Sequence, residues 1–66
     1  MQEGIIARIN EKGYGFISRE GVEKDLFFHM NELVNVKIED LREGDKVSFE
    51  IGESEKGPNA IKVSKI

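Results

Sequence analysis

The chain has 66 residues, no cysteine, a single histidine and a formal net charge of −3. Such a length leaves room for one hydrophobic core in a single domain spanning residues 1–66, and without cysteine neither a disulfide nor a thiolate metal site can reinforce it. No apolar run approaches the ~20 residues of a membrane span, and the N-terminus lacks a charged-then-apolar leader, so a cytoplasmic protein without membrane association is expected.

The charge is unevenly placed. Residues 1–19 carry a net +1 and residues 56–66 a net +3, whereas residues 20–55 carry −7. An acidic total argues against a polyanionic partner, but basic terminal strands lying side by side would make the local field positive.

In chain order, residues 4–10 (GIIARIN) are β-branched and apolar enough for a first strand, followed by a turn at Glu11-Lys12-Gly13. Alternation places Ile5, Ala7 and Ile9 on one face and Ile6, Arg8 and Asn10 on the other. Neither set is uniformly polar, which predicts a bulge or strong coiling, as in a strand shared by two sides of a barrel. Residues 14–19 form a second strand, in which the glycines flanking Tyr14 suit a sharp bend or a close backbone approach. A short polar turn then returns the chain as a third strand over residues 24–29, antiparallel to the second.

Residues 30–45 are the least regular. At most one helical turn is expected near residues 31–33, then a loop with Leu33 and Leu41 tucked into the core, closed by a turn at Arg42-Glu43-Gly44-Asp45. Residues 46–52 alternate well, with Val47, Phe49 and Ile51 on the buried face. Residues 53–59 read as a charged loop, and residues 60–66 as a fifth strand with Ile61 and Val63 inward. Five short strands at this spacing predict an all-β fold, a small antiparallel barrel.

Two runs stand apart. Lys12-Gly13-Tyr14-Gly15-Phe16-Ile17 and Leu26-Phe27-Phe28-His29 hold four of the five aromatic residues and the only histidine. In paired strands, Ile17, Leu26 and Phe28 share the core face, and Tyr14, Phe16, Phe27 and His29 share the other. One small domain has one core to fill, so the second set is surplus aromatic surface that asks for a partner.

The first run matches the opening six positions of the RNA-binding signature K/R-G-F/Y-G/A-F-V, with Ile17 for valine; Arg19 stands where a further aromatic residue would follow. With no convincing long helix, the chain cannot supply the RNA-recognition motif that shares this signature, whereas a five-stranded barrel can carry it. Over its whole length the chain resembles the bacterial cold-shock domain family. The resemblance rests on Glu3-Gly4, the run 12–17, Asp25-Leu26-Phe27-Phe28-His29, residues 41–51 and Lys56-Gly57-Pro58-Asn59-Ala60. It departs from the usual family pattern in having Arg8-Ile9 for a Trp-Phe pair, Met30 and Ile38 for aromatic residues, and a first turn one residue shorter.

The resemblance implies a five-stranded Greek-key barrel of the OB type. It also implies binding of single-stranded RNA or DNA, with bases stacked on Tyr14, Phe16, Phe27 and His29 and phosphates neutralised by Lys12 and Lys56. Arg8, in the place of tryptophan, could stack its guanidinium on a base. With fewer rings than usual, binding should be weak, salt-sensitive and tolerant of sequence, and an RNA-chaperone role of trapping unpaired bases is implied. The alternative is a barrel whose aromatic face docks a protein, nucleic-acid binding having been weakened or lost. No cofactor is implied, and a monomer is expected. With one histidine, no cysteine and no serine in a nucleophile pattern, no catalytic set emerges.

Overall fold

A computed structural model describes residues 2–55 and 57–66. Five strands, β1 (Gln2–Asn10), β2 (Tyr14–Ser18), β3 (Leu26–His29), β4 (Lys46–Ser54) and β5 (Gly57–Lys65), close a barrel in the order β1-β2-β3-β5-β4. The pairings β1–β2, β2–β3, β1–β4 and β4–β5 are antiparallel, as expected. The seam between β3 and β5 is closed by a parallel bridge from Phe27 to Asn59. Two single turns of 3₁₀ helix, Met30–Glu32 and Ile38–Asp40, occupy the crossover between β3 and β4. No helix among the described residues is long and apolar enough to cross a membrane.

The core is the set that alternation selects: Ile17, Leu26, Phe28, Val47 and Phe49, joined by Ile6, Leu41, Ala60 and Val63. Leu33 packs against it from the crossover and bridges Val63 in β5. The predicted irregularity in β1 is present. Ile6 pairs with Ile17 and the next registered pair is Arg8 with Phe16, so Ala7 is an extra residue that the partner strand does not match. This bulge resets the alternation. Ile6 points into the core and Arg8, two residues on, points out; in an unbroken strand both would share a face.

Two inward assignments are corrected. Ile51 was expected beside Val47 and Phe49 but is 41% exposed. Pairing of β4 with β1 ends at Phe49, and beyond it β4 pairs only with β5, so Ile51 lies on a hairpin that projects past the layer that would cover it. In β5 the buried residues are Ala60 and Val63, and Ile61 is only partly buried. Three residues of β5 span Ser64 to Ile61 where two of β4 span Ser48 to Glu50, and Lys62 takes up the excess at a φ of 50°. This second bulge turns two residues three apart to the same side. The region expected as a charged loop is mostly strand, because β4 runs on to Ser54 and β5 starts at Gly57, with Pro58 second in the strand.

A candidate nucleic-acid interface on the β1–β2–β3 face

Strand register assembles the aromatic patch. Tyr14 stands opposite His29 and Phe16 opposite Phe27, while Arg8 of β1 flanks Phe16 from the other side. Residues directly opposite on paired strands project to the same face, so four strands contribute one row: Arg8, Phe16, Phe27 and Asn59. The rings of Tyr14, Phe16 and Phe27 are mutual neighbours, with centroids 6.2 Å (Tyr14 to Phe16), 5.5 Å (Tyr14 to Phe27) and 5.9 Å (Phe16 to Phe27) apart. Edge-on and tilted contacts at this spacing are themselves favourable and hold each ring's direction. Phe27 is 38% exposed, and Tyr14 and Phe16 are half-buried, so none of the three is spent on the core.

Close packing beneath the rings sets their height. A Cβ on Gly15 would lie 2.6 Å from the carbonyl oxygen of Arg8 and 2.8 Å from the ring of Phe28, so only glycine lets β2 sit this close to its neighbours. Gly13, at a φ of +98°, turns the chain into β2, and its carbonyl accepts the N–H of Met30 at 2.8 Å, tying the turn to the end of β3. Met30 lies over that turn, its sulfur where a Gly13 side chain would be, and remains 47% exposed. Ile38 is partly buried and packs on the core.

His29 occupies the end of the patch. Its Nδ1 accepts the N–H of Asn31 at 3.2 Å, which caps the short 3₁₀ turn and leaves Nε2 as the ring's outward hydrogen-bonding atom. The helical turn thus starts one residue earlier than expected, at Met30, with His29 as its cap. Lys12 is exposed in the β1–β2 turn, where its N–H donates to Oδ1 of Asn10 at 2.8 Å. Neither Arg8 nor Lys12 joins an ion pair among the described residues. Lys62 of β5 is 3.3 Å from a Glu50 carboxylate. Lys56, also expected at the site, lies outside the described residues.

The structure adds one residue to the site. Asn59 is level with Phe27 across the seam, and its Oδ1 is buried with no hydrogen-bond partner among the described residues. A buried acceptor left unpaired is costly. The only signal in the sequence was an asparagine just after Gly57-Pro58, which reads equally well as a turn residue.

Outward rings, two exposed cations at their margin and an amide at their edge can stack planar apolar groups and neutralise adjacent anions. Comparison with known proteins identifies the class. The profile of the family described as the 'Cold-shock' DNA-binding domain matches residues 2–66. The chain belongs to the cold-shock domain family. "Probable cold shock protein A" of Mycolicibacterium smegmatis is 42% identical over the full length of both chains. "Cold shock-like protein CspB" of Bacillus cereus is 46% identical over 86% of each. A solved structure described as drosophila Unr CSD456 superposes with a TM-score of 0.79 at 27% identity, covering 98% of this chain and 26% of its own. Nucleic-acid binding of the cold-shock type is the function class of this domain, and its barrel is the one that class uses.

Proposed function

We propose that the domain binds short stretches of single-stranded RNA or DNA by stacking bases on Tyr14, Phe16 and Phe27, with His29 at the end of the patch. The observation that carries this reading is the cluster of three outward rings within 6.2 Å of one another, level with Arg8. Bases in a duplex are stacked on one another and offer their faces to no ring, whereas unpaired bases of any identity do. Binding therefore favours melted over paired strands, which is the physical content of an RNA-chaperone role. Arg8 and Lys12 neutralise phosphates beside the rings. The domain acts as a cytoplasmic monomer and a binding module; its one histidine already engages Nδ1 in a cap.

A labelled oligothymidylate titrated by fluorescence anisotropy at low and moderate salt tests this. The parent should saturate at low salt. Phe16→Ala and Phe27→Ala should each weaken binding about 5- to 150-fold, the equivalent of roughly 1–3 kcal/mol per stacked base. Variants that bind as well as the parent would refute stacking at these rings, and so leave the face to a protein partner.

A further inference from the structure

The outward face of β2 does not end at Phe16. Alternation carries it on to Ser18, two residues or roughly 7 Å along the strand. Ser18 stands opposite Ile5 of β1, which stands opposite Lys46 of β4. There the surface sinks into a cavity of about 430 Å³ whose lining includes Glu3, Ile5, Ser18, Arg19, Glu20 and Lys46. That volume lies within the range of small-ligand sites and accommodates one nucleotide.

The lining has the marks of a site whose ligand has two kinds of surface. Ile5 is 45% exposed, although the core is served from the opposite face by its neighbour Ile6. The Nε of Arg19 is buried and has no hydrogen-bond partner among the described residues. A guanidinium N–H that has lost water without gaining an acceptor is a donor in want of one. Neither Arg19 nor Lys46 is ion-paired among the described residues, although two glutamates line the same cavity.

We propose that this cavity is a nucleotide subsite beyond the aromatic patch. It takes one further nucleotide of a strand already lying on the rings, with the base against Ile5 and the phosphate on Arg19 and Lys46. The proposal rests on the stacking reading of that patch. Guanidinium N–H groups match phosphate oxygens in geometry and charge, and the apolar floor suits the face of a base. Glu3 and Glu20 offset the two cations at long range. The cavity therefore has little pull on free phosphate and serves a nucleotide delivered at high effective concentration by its own strand. The carboxylates also supply acceptors for base N–H groups.

Strand length is the test. Labelled oligothymidylates from three to about eight nucleotides reach into the span that one such barrel covers. Lys46→Gln and Arg19→Gln should leave affinity for the shortest strands unchanged. On the longer strands they should weaken it about three- to tenfold and reduce the dependence of log K on log salt by about 0.7 for each cation removed. The Arg19 Nε–H resonance, followed by NMR in the parent, should move with long strands and stay still with short ones. Equal losses at every length, or none, would overturn the subsite and leave the stacking reading intact. A parent that binds no strand at any length would overturn both. Thymidine monophosphate and inorganic phosphate form the comparison arm. A shift of the Arg19 signal at micromolar concentrations of either would assign the cavity to a free anion and overturn its assignment to a strand. Should Arg19→Gln fail to fold, Lys46→Gln, at an exposed side chain, carries the same length test.

Discussion

Phe27 and Gly15, on paired strands, carry opposite loads. Phe27 lies outside the core, so Phe27→Ala should cost only about 1 kcal/mol of stability, the worth of its contacts with the Tyr14 and Phe16 rings, while binding falls. Gly15→Ala should do the reverse of sparing the fold. Its methyl group would press on the Arg8 carbonyl and the Phe28 ring, and overpacking of this kind costs about 1–3 kcal/mol. Chemical denaturation reads that loss directly; an unchanged midpoint would mean that β2 can shift outward freely. Asn59 combines the two loads. Its buried Oδ1, without a hydrogen-bond partner among the described residues, is a standing penalty, so Asn59→Val, a good strand residue, should raise the midpoint by several degrees, about 4–8 °C for each 1 kcal/mol gained. The same change should weaken binding if the amide meets a base, and titration of that variant beside its melting curve separates the effects. A lower midpoint would show that Asn59 has a structural partner in solution.

Among the elements, two bulges set which side chains of β1 and β5 face the core. The one at Ala7 lets β1 present Ile6 to the core and Arg8 to the aromatic face within three residues. The one at Lys62 lets β5 send both Ala60 and Val63 inward, at the cost of a left-handed conformation that side chains other than glycine adopt reluctantly. The Lys62–Glu50 pair is a poor recompense, since both side chains are well exposed and such pairs are worth little. Lys62→Gly should therefore stabilise the barrel by about 0.5–1 kcal/mol, while Lys62→Ala, which keeps the strain and loses the pair, should be neutral or slightly destabilising. Urea melts of the two variants test the order. If Ala proved the more stable, strain at this position would not be the governing effect.

At the scale of the molecule, a net charge of −3 sits behind a binding face edged by Arg8 and Lys12. Counterion release counts phosphates neutralised, not total charge. On strands too short to reach the cavity at Arg19 and Lys46, two or three cations give a slope of log K against log salt of about −1.4 to −2.1. Anisotropy titrations across a salt series measure it. A slope near zero would remove the cations from the interface, and one steeper than about −4 would require basic residues far from the rings.

The sequence by itself determined which residues are core and which are surplus on β2 and β3, because a two-residue period leaves Tyr14, Phe16, Phe27 and His29 on the side that the core does not need. It also determined the class of barrel, since the two aromatic runs and the glycine turns are local patterns in recognisable order. It could not decide which isoleucine of β1 is buried, where Ile51 and Ile61 point, or that Asn59 lies beside Phe27. Those depend on two bulges, on where β4 outruns β1, and on a parallel seam between strands thirty residues apart in the chain. Each is set by the closing of the barrel, where one strand must coil to pair on both sides and a single extra residue reverses every side chain after it. Local pattern chose the faces; closure decided what shares them.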